Sequence, residues 1–269
     1  MMFTPCDLSD PLDQAVIGLI VFFSLFAGLA NVLNIPYFKR DGGLLSYSKF
    51  AAGVKLGITV PSKLGMTLVY FPACLVGVYA WNVTGMQLIS PAVWTNRVSL
   101  VALMMVIHFG KRSLECMFLH NYSGGMPLTS SLFISSFYCI LSFSNCYYAG
   151  KSHALEEPPI VAISLFLVGT SGNFYHHHLL ATLRKPGDTS YKIPRGGFFE
   201  FVAAPHYFFE LIGHLGVALT TVHWVSIGML VGMTLYLVER AMAQTAWNIQ
   251  KFGKFAYPTE RKHIIPFLL

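Results

Sequence analysis

The residue types best suited to chemistry in this 269-residue chain gather in one stretch, Gly172 to Glu210, which reads GNFYHHHLLATLRKPGDTSYKIPRGGFFEFVAAPHYFFE. Four cations, Arg184, Lys185, Lys192 and Arg195, stand in a Gly/Pro-punctuated loop between two apolar segments. Guanidinium forks and lysine ammoniums suit phosphate or carboxylate oxygens, and four of them beside hydrophobic sequence are costly unless something anionic is held there. Asn173 lies inside the apolar segment before the loop and Glu210 inside the one after it, and buried polar groups of that kind need partners. Tyr191-Lys192-Ile193-Pro194 reads as a rigid extended piece leading into a turn at Gly196-Gly197. The stretch reads as a ligand site at a membrane edge.

His176, His177 and His178 raise the question of a metal, because imidazole is a common ligand. Three consecutive side chains on a helix point about 100° apart and cannot converge on one ion. No metal is expected from this run, which instead predicts one histidine facing a polar cofactor and the others at the interface. Soluble nucleotide signatures are missing. No GxGxxG occurs, and Gly150-Lys151-Ser152 is not a P-loop because Asn145 stands where the first glycine belongs.

The elements that must position this stretch are membrane helices. Hydrophobic residues make up 54% of the chain and charged residues 11%, with a mean hydropathy of +0.57, whereas soluble domains carry roughly 25% charged residues. Apolar runs at Gln14–Leu33, Leu64–Trp81, Ala92–Phe109, Leu128–Ala149, Pro159–Leu180, Phe198–Val217 and Thr221–Val238 predict an all-α polytopic fold of seven transmembrane helices, since lipid-exposed backbone must satisfy its own hydrogen bonds. Threading seven spans puts 16 of the 18 basic residues on one face, with only Arg97 and Lys151 on the other. By the positive-inside rule the N-terminus is lumenal and the C-terminus cytosolic. The net charge of +6 is then a membrane asymmetry, and without basic stretches interleaved with aromatics nucleic acid is not an expected partner. Nothing in the pattern names a protein partner. Asp7, Asp10 and Asp13 ahead of the first run argue for a retained first span, and the five cysteines have no framework spacing, so they read as packing residues.

At Leu183-Arg184-Lys185-Pro186-Gly187, Tyr191-Lys192-Ile193-Pro194, Gly196-Gly197, Glu210, Tyr257-Pro258, Arg261 and the closing Ile265-Pro266-Phe267, the chain resembles the steroid 5α-reductase family. His108 to Pro127 is similar to the membrane trans-2-enoyl-CoA reductase branch. The likeness covers about residues 62–269, leaving 1–61 as a first helix and cytosolic loop. The resemblance implies a seven-helix reductase of the endoplasmic reticulum that moves hydride from NADPH to the β-carbon of a conjugated-carbonyl lipid within the bilayer. It also implies that Asn173, Arg184, Tyr191, Lys192, Arg240 and Arg261 hold NADPH, with His206 and Glu210 beside them.

The chain departs from the family where the substrate carbonyl is gripped. Aligned on Pro72, the family's Gln-Glu pair becomes Val69 and Tyr70, and the tyrosine after the third-span histidine becomes Phe109. Gln244 and Asn248 replace a His and a Tyr. Tyr70 is therefore the expected proton donor to the carbonyl oxygen, its alternative being an interfacial aromatic in an impaired enzyme or a non-catalytic membrane scaffold. A further alternative follows from Pro205-His206-Tyr207 with Glu210, a pattern shared with isoprenylcysteine methyltransferase-like proteins that bind S-adenosylmethionine. The phosphate-suited cations favour NADPH over that sulfonium cofactor.

Overall fold

The structure, a computed structural model, describes residues 3–29, 57–122, 124–183 and 190–269. Seven α-helices run through these residues: α1 Pro11–Leu29, α2 Ser62–Thr84, α3 Arg97–Leu114, α4 Leu128–Lys151, α5 Ile160–Thr182, α6 Pro205–Thr221 and α7 Trp224–Phe252. The helical class expected from the sequence holds, with one small addition. Strands β1 (Thr59–Pro61) and β2 (Gly125–Pro127) pair antiparallel, Val60 opposite Met126, and tie the starts of α2 and α4 together. Among the described residues, α2 and α7 are each long and apolar enough to cross a membrane.

Four helix ends differ most from the apolar runs. The third helix starts at Arg97 rather than Ala92 because Pro91–Trp94 forms a 3-10 turn and the Asn96 side chain then accepts from Ser99 N–H at 2.9 Å, a standard N-cap. It also runs on past Phe109 to Leu114 and ends in a π-helical turn over Glu115–Leu119, so Lys111 and Arg112 lie on the helix and not in a loop. The sixth helix starts at Pro205 rather than Phe198. Gly196 and Gly197 take left-handed backbone angles, φ 87° and 54°, and lead into a 3-10 turn before Pro205 occupies the first helical turn. The seventh helix continues beyond Val238 to Phe252, carrying Arg240, Gln244 and Asn248 on helical backbone.

The closest packing is between α5 and α6. A Cβ on Gly169 would collide with the Gly213 backbone, and one on Gly216 would meet the carbonyl of Ala162 and the backbone of Phe166. Small residues at this spacing let two helix backbones touch, as membrane helices do when lipid offers no hydrophobic drive. That contact fixes Asn173 and His177 of α5 against His206 and Glu210 of α6. One apolar core, with Met105, Phe109, Leu141 and Tyr148 fully buried, runs through α2, α3 and α4 and on to Val217 of α6 and Met233 of α7. The N-terminal segment pairs with the α6–α7 connection, Thr4 beside His223, and α1 packs along α7.

Candidate active site

The C-terminal halves of α3, α5 and α7 and the N-terminal half of α6 meet at one end of the bundle around a cavity of about 310 Å³. Its hub is Arg112, only 5% exposed. Nη2 of Arg112 donates to the Tyr70 hydroxyl at 3.0 Å and the guanidinium lies over the Tyr70 ring, 4.6 Å from its centroid. Nη1 pairs with Glu115 and reaches His177 Nδ1 at 2.9 Å. One buried cation therefore organises a phenol, a carboxylate and an imidazole. Helical spacing produces this: Lys111, Arg112 and Glu115 stand three and four apart on one face, which is the geometry of intrahelical ion pairs.

A second set of contacts links α3 to the α5–α6 pair. Lys111 Nζ donates to Asn173 Oδ1 and to Glu115, and Asn173 Nδ2 donates to the His206 carbonyl at 2.9 Å and to Glu210 Oε2 at 3.5 Å. Asn173 thus sits behind the cavity wall while His206 and Glu210 line it. Tyr191 and Lys192 form the outer lip, with Tyr191 edge-on to Trp247 at 4.7 Å. Tyr122 and Tyr138 complete an aromatic wall, Tyr138 stacking on Tyr70 at 5.3 Å.

The segment that leads into α6 is held from two sides. Glu200 accepts from the Gly196 N–H at 2.7 Å and pairs with Arg195 and Arg261, and the Gly196 bond above all keeps its carboxyl below the usual range. Arg261 donates from Nη1 to the Pro194 carbonyl at 2.9 Å. His176 closes the other side: its Nδ1–H meets the Gly172 carbonyl at 2.7 Å and its Nε2 accepts from Phe198 N–H at 3.0 Å. A Cβ on Gly197 would stand 2.8 Å from His176 Nε2, which is why the turn needs glycine. Burial and the nearby Arg112 guanidinium hold His120, on the loop after the π-helical turn, down at about 4.

A family model described as 3-oxo-5-alpha-steroid 4-dehydrogenase matches residues 125–269, more than half of the chain. The chain is 31% identical to bovine 3-oxo-5-alpha-steroid 4-dehydrogenase 1 over 234 residues, covering 83% of this chain and 87% of that one. The chain belongs to the 3-oxo-5-alpha-steroid 4-dehydrogenase family. That is a family of oxidoreductases acting on CH–CH groups. The human type 1 protein is 34% identical over 172 residues, 61% of this chain and 65% of its own length. A very-long-chain enoyl-CoA reductase of Dictyostelium discoideum is 31% identical over 190 residues, 67% of this chain and 60% of its own. Steroid and enoyl-CoA branches of the family therefore both lie within reach of this sequence.

Of the residues singled out in the sequence, the structure brings Tyr70, Tyr191, Lys192, His206 and Glu210 to one cavity. Asn173 supports it from behind, and Arg261 braces the Pro194–Glu200 segment from a position outside the lining. Arg240, on α7, is buried and is also outside the lining. Arg184 lies outside the described residues. The three histidines diverge: His177 lines the cavity, His178 is exposed, and His176 is buried and structural rather than interfacial. Arg112, Glu115, His120 and Tyr138 went unrecognised from sequence. The Lys111, Arg112, Glu115 spacing was the available signal for the first two, because ion-pair periodicity marks helix rather than loop. Phe109 is fully buried, its ring 5.4 Å from that of Tyr138.

Proposed function

We propose that this cavity binds NADPH together with an α,β-unsaturated carbonyl lipid and reduces the lipid's C=C bond. The observation that carries the reading is the Arg112–Tyr70 hydrogen bond inside a cavity that Lys192, His206 and Glu210 also line. Reduction of a conjugated carbonyl builds negative charge on the carbonyl oxygen, and a phenol backed by a fixed cation is the donor pair such an oxygen needs. The residues also fit the cofactor. His206 Nδ1 and Arg112 Nε are buried without a partner, hydrogen-bonding capacity that a polar ligand would use, and Lys192 adds a charge suited to phosphate.

NADPH would lie against Tyr191, Lys192 and His206, with Asn173 and Glu210 fixing the inner end and Arg184 and Arg240 adding charge. When bound it supplies a hydride at C4 of its nicotinamide. The Tyr70 hydroxyl donates to the substrate's carbonyl oxygen and stabilises the enolate left by hydride addition at the β-carbon. Arg112 keeps that hydroxyl in place, and its ion pair with Glu115 keeps Arg112 in place. A proton taken up from solvent adds at the α-carbon and completes the reduction. The aromatic wall of Tyr122 and Tyr138 keeps water away from the enolate.

The wider setting follows from the same reading: seven membrane crossings in the endoplasmic reticulum, with the lumenal N-terminus and the cavity on the cytosolic side where NADPH is found. The relatives carry reductase and dehydrogenase names of both steroid and enoyl-CoA type, and the methyltransferase reading gains no support from them. Titrating the detergent-purified protein with NADPH and, separately, with S-adenosylmethionine tests the proposal. Saturable NADPH binding that weakens about tenfold or more in Lys192→Ala is expected from loss of one charge-assisted contact. Binding of S-adenosylmethionine alone contradicts it.

A further inference from the structure

Beyond this reading, we propose that His108, Glu210 and His214 form a buried zinc-class metal site between α3 and α6. The run His176 to His178 takes no part in it. Glu210 and His214 stand four apart on α6, so both project from one helix face, and His108 comes from the facing side of α3. All three are at most 5% exposed. Their candidate ligand atoms lie within 4.8 Å of one another. An ion at the centre of such a triangle is no more than about 2.8 Å from each atom. Side-chain shifts under about 1 Å then reach the roughly 2.0–2.2 Å bonds that zinc makes to imidazole and carboxylate.

The second observation is that each of these three side chains carries a buried polar atom without a hydrogen-bond partner: His108 Nε2, His214 Nε2 and Glu210 Oε1. Three such atoms on neighbouring buried side chains are expensive to leave unsatisfied, and native structures leave few. The other oxygen of Glu210, Oε2, receives the Asn173 amide at 3.5 Å, which leaves Oε1 uncommitted. Two imidazoles and one carboxylate form the donor set of many zinc sites, with a fourth position left for water.

The surroundings bear on which ion fits. Lys111, one turn beyond His108 on α3, and Arg112 both pair with Glu115, so these two cations stand against two carboxylates, Glu115 and Glu210, and the surroundings are close to neutral before an ion enters. Calcium and magnesium need several oxygen ligands, whereas zinc binds imidazole well and tolerates few anions. The comparable cluster of Glu115, His120 and His177 is a poorer candidate because Arg112 already pairs with its carboxylate and with His177 Nδ1.

Metal content decides the matter independently of any reductase activity. Protein purified in detergent, stripped with EDTA and dialysed against zinc chloride should retain about one zinc per chain by mass spectrometry. Its cobalt-loaded form should show the visible bands of a four-coordinate site. His108→Phe and His214→Phe should each lower zinc to background while melting no earlier than wild type in EDTA, since each removes an unpartnered polar atom. Glu210→Gln, which keeps the side-chain shape, should change the cobalt spectrum even if a phenylalanine variant fails to fold. His178→Ala, at an exposed position, should retain zinc. Wild-type protein that retains no zinc, or a cobalt spectrum indifferent to both Glu210→Gln and His214→Phe, overturns the proposal.

Discussion

The two ends of the helix bundle treat charged groups in opposite ways. At the end where α1 begins, charged groups are closed on one another. Tyr148 donates to Asp13 at 2.7 Å, the Asp7 N–H meets the same carboxylate at 2.7 Å, and Lys151 pairs with both Asp10 and Asp13. Arg97 is capped by the carbonyls of His153 and Thr220, and Asn145 accepts from Thr221 and Ser226. At the opposite end Arg112, Glu115, Tyr70 and His177 are interlinked, but Arg112 Nε and His206 Nδ1 remain unpaired beside a cavity. A network that satisfies itself contributes to folding, and one that leaves buried atoms waiting is built for something that arrives later. Substitutions at the first end should therefore change stability without chemistry, and those at the second should change chemistry.

The largest effect expected is at Tyr70. Tyr70→Phe keeps the ring under Arg112 and removes only the donor, so turnover should fall about 10² to 10⁴-fold while NADPH affinity holds. Unchanged turnover would return Tyr70 to the role of an ordinary aromatic. Arg112→Met should be the most destabilising change at the open end, about 1.5–3 kcal/mol, because it removes charge-assisted contacts with Glu115 and Tyr70 while leaving Glu115 only Lys111. Denaturation in detergent measures it, and a near-neutral result would mean that Glu115 is satisfied without Arg112. Gly169→Ala forces a methyl into the Gly213 backbone and should cost about 1–3 kcal/mol by overpacking.

At the closed end, Asp13→Asn should lower stability by about 1–3 kcal/mol and leave turnover as it was. A loss of activity there would break the division between the two ends. The smallest expected effect is a pH dependence. His120 is held at about 4 against an ordinary 6.5, so between those values the unfolded chain binds the proton that the folded chain refuses. Its contribution is complete above about 6.5 and is lost as pH falls toward 4. His120→Phe should flatten that part of the curve of melting temperature against pH. Parallel curves for variant and wild type would assign the titration to other groups.

The helices were legible in the sequence because long apolar runs in a chain with so few charges have few alternatives to helix. The ends were less so, and the two helices that run on past their apolar stretches share a cause. Hydropathy stops where polar residues begin, yet α3 continues through Lys111 and Arg112 and α7 through Arg240, Gln244 and Asn248, since backbone hydrogen bonding does not depend on side-chain polarity. That blind spot fell on the most connected residue of the site. Arg112 looked like topology, and its burial depends on Tyr70 of α2 and His177 of α5 arriving from two other helices. Glu210, His206, Tyr191 and Lys192 were found because one stretch carries them all. Arg261 was read as a cofactor ligand from its motif, and its contacts with Pro194 and Glu200 give it a bracing part that no spacing could reveal. His108 and His214, 106 positions apart, meet only through the α3–α6 contact.

The claim that the open end is a reductase site is tested most directly by following a label. NADPH deuterated at the transferring position of C4 is supplied with a 3-oxo-Δ4-steroid or a trans-2-enoyl-CoA, and the product is analysed by mass spectrometry and NMR. The account predicts a saturated carbonyl product with one deuterium on the former β-carbon, formed by the wild type and lost to within background in Tyr70→Phe. Deuterium at any other carbon, or label transfer undiminished in Tyr70→Phe, would contradict it.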